Sequence, residues 1–326
     1  MNKIASTLAI LGFTCLGTAC SDSKSSSSSS DVKCTAAGAP VAAPYKGIFA
    51  PSLFSGLQSI DTPESVKALN GNLMSIVFAA KVTSKGTFTV DSDWADLGPQ
   101  IDAFHAGGVG VVLALESQME DGSAESPTMD SSLVESEAFQ ENLTALSVEL
   151  AGVAEKCAVE IFIPYNEADL KMGAAAAGAW GQTVLSQVRA AYPTGKVMWK
   201  LASSANAAAV DVTGYDMAGI SLSPAGTDST SLFAARVVSE VNTAKTAFAA
   251  KGVTSVWITE FGIWGDFDSG KTDSELASFM TAGFDQMNSL GLSGVMVLDG
   301  PEGYDPQLNG TTLGTTTASF FSTFGQ

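Results

Sequence analysis

From residue 45 onward, short apolar runs alternate with longer stretches in which apolar positions recur every three or four residues. The short runs are Tyr45 to Ala50, Leu73 to Val82, Val109 to Leu115, Val159 to Pro164, Lys196 to Ala202, Met217 to Leu222, Ser255 to Thr259 and Gly294 to Leu298, and each reads as a strand. Helical periodicity fills the gaps at Pro63 to Ala68, Trp94 to His105, Leu133 to Glu155, Ala174 to Tyr192, Ser204 to Val210, Ser231 to Ala250 and Asp273 to Leu290, and Thr315 to Phe324 closes the chain. Gly107-Gly108, Gly252 and Gly291 follow helices, where a left-handed residue stops them. Strand and helix alternating through eight repeats predict an all-parallel sheet, and closing it into a single (β/α)8 TIM barrel leaves no exposed edge. An open doubly wound sheet is the alternative, but no Gly-rich phosphate loop follows the first strand.

The first residues belong to a different class. Lys3 precedes an apolar stretch, Ile4 to Thr18, too short to span a bilayer and of the length of a signal-peptide core, so residues 1–19 read as an export signal. Leu16-Gly17-Thr18-Ala19-Cys20 resembles a bacterial lipobox, with Leu16 four rather than three residues before the cysteine. Lipidation of Cys20 is the expectation, and ordinary cleavage near Ala19 is the alternative. The Ser-rich run Ser21 to Ser30 favours lipidation, because a segment that buries no apolar area behaves as a tether. Residues 20–33 are then anchor and tether, and residues 34–326 form one folded domain. Export leaves Cys34 and Cys157 as the thiols of that domain, and an oxidising compartment predicts a disulfide between them; a buried Cys157 with a free Cys34 is the rival reading. The lone His105 has no His or Cys neighbours at ligand spacing, so neither a metal nor another cofactor is expected, and the ring suits the last carbonyls of its helix.

Chemistry enters at two strand ends. Val-Glu-Ile-Phe-Ile-Pro-Tyr-Asn-Glu ends at Glu167 after the fourth run, and Ser-Val-Trp-Ile-Thr-Glu-Phe-Gly carries Glu260 after the seventh. A carboxylate at the end of an apolar strand serves packing poorly, since burying its charge costs several kcal/mol unless it is paired. In a parallel barrel both emerge on one rim, the face where such barrels do chemistry, and two carboxylates there are the minimum equipment for glycoside hydrolysis.

Asn166-Glu167 together with Thr259-Glu260-Phe261-Gly262 resembles the signature of glycoside hydrolase clan A, over the whole stretch from about Tyr45 to the C-terminus. The helix ending Ala103-Phe104-His105-Ala106-Gly107-Gly108 makes the chain most similar to the mannanase-type family 113 and neighbours such as the family 53 galactanases. The resemblance implies that Glu167 is the general acid/base, Glu260 the nucleophile, and Asn166 a contact to the sugar 2-hydroxyl. Such a pair needs roughly 5 Å between carboxyls, with the acid held protonated near neutral pH and the nucleophile ionised by hydrogen bonds. The sixth strand ends Ile220-Ser221-Leu222-Ser223-Pro224 where many clan members have a tyrosine, and the eighth reads Val297-Leu298-Asp299-Gly300 where a tryptophan is usual. Ser223 is expected to supply a hydroxyl and Trp264 an aromatic face. Glu116, Asp299 and Glu302 fall past strand ends and either bind sugar hydroxyls or are solvated loop acids; Trp199 is either core or rim.

Charge narrows the ligand. A formal net charge of -18 and a pI near 4.2 argue against nucleic acid or another anionic polymer as ligand. Arg189 and Arg236, the only arginines, fall in helical patterns away from the expected rim, so a clamp for uronate or sulfate is not expected and neutral sugars are favoured. The expected protein is an exported, monomeric, retaining glycoside hydrolase acting on a neutral β-linked polysaccharide or oligosaccharide, touching the membrane of the bacterial outer envelope or cell surface only through its lipid, with a periplasmic or secreted form as the alternative. The runner-up is a non-catalytic surface glycan-binding protein on a decayed barrel.

Overall fold

Strands β1 (Tyr45–Ala50), β2 (Leu73–Val82), β4 (Gly110–Met119), β5 (Ile161–Ile163), β6 (Lys196–Leu201), β7 (Met217–Leu222), β8 (Val256–Phe261) and β9 (Gly294–Leu298) pair in parallel in chain order, and β1 bonds to both β2 and β9. The circle is closed: the chain is a (β/α)8 TIM barrel. A two-residue strand, β3 (Phe88–Thr89), adds an antiparallel partner to β2. The computed structural model describes residues 32–35, 38, 41–51, 56, 58–90, 93–120, 130–264, 267, 270–302 and 306–326. The export signal, Cys20 and the serine run lie outside the described residues, among which no helix is long and apolar enough to cross a membrane.

Around the barrel lie α1 (Pro63–Ala68), α2 (Asp93–Ala106), α3 (Ser131–Val134), α4 (Glu137–Lys156), α5 (Ala168–Met172), α6 (Ala174–Ala191), α7 (Thr230–Ala249), α8 (Asp273–Met287) and α9 (Thr312–Thr323). Two expected helices differ. The span from Leu133 to Glu155 is divided, because the Ser136 side chain accepts the Phe139 N–H and starts α4 afresh. Only a 3-10 turn, Ser204–Asn206, forms where a helix to Val210 was predicted, since Val210-Asp211-Val212-Thr213-Gly214 is a run of poor helix formers.

Strand alternation sorts the core into two. Phe49, Leu73, Val77, Val112, Ile163, Met198, Trp257 and Met296 fill the barrel, and a larger layer lies between the sheet and the helices. On β6, Met198 and Lys200 face inward while Trp199 faces outward, fully buried against Trp180 and Tyr215 with ring centroids 6.2 and 5.2 Å away. Trp199 is therefore core. Cys34 is disulfide-bonded to Cys157 at the end of α4, and packing begins slightly upstream of it: Val32 is fully buried and its carbonyl accepts the Lys156 ammonium. His105, on the last turn of α2, is buried with Nε2 3.2 Å from Glu160 Oε2, and the same carboxylate accepts the Val111 N–H at the foot of β4.

Candidate active site

Simple alternation sends Glu260 the wrong way. Trp257 faces the barrel interior and Ile258 the helices, so Thr259 would follow inward and Glu260 outward. The register breaks this parity: Ile220 pairs with Ile258 but Ser221 with Glu260, and on the other flank Ile258 pairs with Val295 but Phe261 with Val297. Thr259 is thus an extra residue against both neighbours, a β-bulge that turns Glu260 to the interior beside it. Gly219 makes the room, for a Cβ there would lie 2.2 Å from Thr259 Cγ2. Phe261 resumes the outward face, stacked on Phe233 at 5.8 Å.

Glu167 reaches the mouth differently. β5 ends at Ile163 rather than at the acid, and Pro164-Tyr165-Asn166 carries the chain on to the rim. There Glu167 adopts φ 49° and ψ 46°, a left-handed conformation that costs an L-residue roughly 1–2 kcal/mol. The next turn holds it there. Lys171 on α5 folds back so that its ammonium donates to the Asn166 carbonyl and to Glu116 Oε1, 4.3 Å above the Tyr165 ring. Asp169 accepts the Ala202 N–H at 3.1 Å and the Asn206 amide at 2.8 Å, tying α5 to the segment after β6. Glu116 Oε2 accepts the Asn166 Nδ2 hydrogen at 2.8 Å, which leaves Asn166 Oδ1 buried with no partner among the described residues.

Between the two glutamates stands Lys200. It is fully buried, its Nζ 2.6 Å from Glu260 Oε2, 3.5 Å from Glu167 Oε1 and 3.9 Å from the centre of the Phe49 ring. Sharing one nitrogen keeps those two oxygens within about 6 Å, below the roughly 6.5–9.5 Å of an inverting pair. The sequence carries a signal for it: a lysine within Val-Met-Trp-Lys-Leu is as anomalous as a glutamate at a strand end.

Burial and this ammonium divide the carboxyls. For Glu260, burial is the largest influence and pushes its pKa up to about 7, with Lys200 pulling down and the Glu167 and Glu116 charges pushing further up. Burial also acts on Glu167, but Lys200, the Ser221 hydroxyl 2.5 Å from Oε1 and Lys171 together outweigh it and hold the carboxyl below the ordinary glutamate range. Burial and the ammonium thus make Glu260 hold a proton more tightly than Glu167, opposite in direction to what the resemblance implies. Lys200 keeps its charge, because Glu260 and Glu167 more than offset its burial.

The remaining expected residues separate. Trp264, just past β8, is 41% exposed on the rim. Glu116 faces the mouth but is engaged by Lys171, Asn166 and the Ser117 N–H, so it braces Asn166 instead of standing free as a loop acid. Ser223 lies beyond β7 with its carbonyl held by Arg236, and the hydroxyl that meets Glu167 is that of Ser221, the next inward position after Gly219. Arg236 consequently stands nearer the rim than its helical pattern implied, though ion-paired to Asp228 at 2.7 Å and Glu240 at 2.9 Å. Asp299 departs from its expected contact with sugar. It is fully buried and its carboxylate accepts the N–H groups of Ser59, Ile60 and Leu308, each at 2.8 Å, and the Ser59 hydroxyl at 2.6 Å, so it staples two loops and has no face for a sugar.

The backbone places this site among known barrels. A GH113 β-1,4-mannanase superposes with a TM-score of 0.65 at 14% identity, covering 85% of this chain and 98% of its own. The GH113 β-mannanase AaManA from Alicyclobacillus acidocaldarius gives 0.64 at 18% identity, covering 86% and 98%. A hyperthermostable endo-1,4-β-D-mannanase from Thermotoga petrophila gives 0.61 at 13% identity, covering 85% and 98%. No protein-family profile and no curated relative matches the sequence. At these identities the likeness is one of fold.

Proposed function

We propose that this chain is a retaining glycoside hydrolase that cleaves a neutral β-linked polysaccharide or oligosaccharide by double displacement. The observation that carries the reading is the pair itself: Glu167 and Glu260, from different sides of the mouth, both against one ammonium and within about 6 Å, on a scaffold like that of the GH113 mannanases. In the first step Glu260 attacks the anomeric carbon while Glu167 protonates the departing oxygen. In the second, Glu167 takes a proton from the water whose oxygen displaces Glu260. The buried, unpartnered Asn166 Oδ1 accepts a sugar hydroxyl, and Trp264 offers a face to sugar C–H groups.

The reaction needs the proton on Glu167. Its side chain is 17% exposed against 4% for Glu260, so a bound sugar desolvates Glu167 more and raises its pKa, while Lys200 favours the Glu260 anion. Neutral substrates fit because Lys171, Lys200 and Arg236, all near the mouth, are each already engaged by carboxylates. In this reading the protein works as an exported monomer, held by a lipid on Cys20 and needing no cofactor.

The test is a panel of neutral β-glycans with reducing ends followed over time, and proton NMR of the anomeric signals in the first minutes on any substrate that is cut. A β anomer released first from a β-linked substrate is the expected result; an α anomer would mean inversion and end the double-displacement reading. The second reading, glycan binding without turnover, is favoured by the burial that pushes the Glu260 carboxyl up and by the lysine lying against both carboxylates. Tight binding of a panel glycan with no release of reducing ends selects it.

A further inference from the structure

The two-carboxylate mechanism uses Lys200 only to favour the Glu260 anion, yet the ammonium lies against Glu167 as well. Packing does not account for it either, because an interior ammonium costs several kcal/mol unless paired, and Met or Leu would fill the same space between Met198 and the rim. Its surroundings are specific. The charged groups facing it are Glu260 from β8, Glu167 from the turn after β5 and, more distantly, Glu116 from β4, with Lys171 from α5 as the neighbouring cation. Lys171 is matched by Glu116 in direct contact. One ammonium is thus left for the glutamate pair.

We propose that Lys200 is a positioning residue that serves the two carboxylates in turn, holding Glu260 as the attacking anion and then Glu167 as the anion left behind. This rests on the double-displacement reading above. When the Glu260 oxygen bonds to the anomeric carbon, the bond from that carbon to the leaving oxygen breaks and the Glu167 proton passes to the leaving oxygen. Glu260 becomes a neutral ester and Glu167 a carboxylate, so the negative charge has crossed the mouth. In the second step water gives a proton to Glu167, its oxygen bonds to the anomeric carbon, the ester bond breaks, and the charge returns to Glu260. The pair carries one negative charge at both stages, and Lys200 already touches both ends of its path. A cation lodged against one glutamate alone would favour one half-reaction at the expense of the other.

Lys200→Met and Lys200→Arg test this by two independent readouts. The first needs no turnover: protein labelled with carbon-13 at the glutamate carboxyls is titrated by NMR, with Glu167→Gln and Glu260→Gln assigning the signals. Loss of the ammonium in Lys200→Met should raise the titration of both carboxyls, and Lys200→Arg should restore both; movement of one alone, or of neither, overturns the shared role. The second is a dinitrophenyl β-glycoside of the sugar found active, used under pre-steady-state conditions. Both the burst and the steady-state rate of Lys200→Met should fall by roughly 100-fold, the size of losing one electrostatic donor. A normal rate in either half-reaction overturns the proposal. If Lys200→Met does not fold, Lys200→Gln is read the same way. A wild type that cuts no glycan defeats the hydrolase reading and the relay with it, and the two failures are told apart because the NMR shift of both carboxyls would persist.

Discussion

Asp299→Ala asks whether the carboxylate at the end of β9 holds loops or sugar. In the structure Oδ2 accepts the Ser59 and Ile60 N–H groups and Oδ1 accepts the Leu308 N–H and the Ser59 hydroxyl. Ile60 and Leu308 are 1% and 2% exposed, so at least their two N–H groups lose their partner where water has little access. Each buried donor left unsatisfied costs about 1–3 kcal/mol, and the Ser59 contacts add a smaller share because that residue is less buried; a total loss of about 3–5 kcal/mol follows. Typical domains have about 5–15 kcal/mol to lose, so the variant should fold but be visibly weakened. Asp299→Asn keeps one acceptor and turns an amide NH2 toward the other donors, for a loss of about 2–3 kcal/mol. The assay is urea denaturation followed by circular dichroism, with KM measured on the folded variants well below their midpoints. Expected are a lower midpoint in the order wild type, Asn, Ala, and a KM within a factor of about two. A stability change under about 1 kcal/mol combined with a tenfold rise in KM would show that the carboxylate meets the sugar and refute the staple.

Four further outcomes are expected. The pair works with one proton, so kcat/KM should fall below the ordinary glutamate range as the pair takes up a second proton at Glu167, and above about 7 as it loses the only one from Glu260; a flat profile through that upper limb counts against the assignment. Glu260→Gln should keep glycan affinity while turning over at less than about one per cent of wild type, and Glu167→Ala, assayed with an activated aryl glycoside, should be rescued by azide. Replacing Cys34 and Cys157 by serine opens a loop of 123 residues and should lower stability by about 3–5 kcal/mol, read as the same shift on reducing the wild type. Cys20→Ser should move the protein from the membrane fraction to the soluble one with unchanged specific activity, and an unchanged partition would locate any anchor elsewhere.

How far the sequence reaches depends on the range of the forces involved. Element order, the barrel and the two strand-end acids are legible because hydrophobic periodicity and helix stops are local: the strands from Tyr45, Met217 and Gly294 begin where the apolar runs begin. Which way a side chain points is not local. Glu260 faces the mouth only because Thr259 is extra against both β7 and β9, and such a register is a property of three strands together. The same holds for Asp299, whose partners Ser59 and Ile60 lie about 240 residues earlier in the chain, and for Ser221, whose hydroxyl meets Glu167 because inward parity is counted from Gly219. Which carboxyl holds a proton more tightly is the least local property of all. It follows from how much water each carboxyl loses and from an ammonium 60 residues from Glu260, and both are decided only when the barrel closes and brings β6 and β8 around one space.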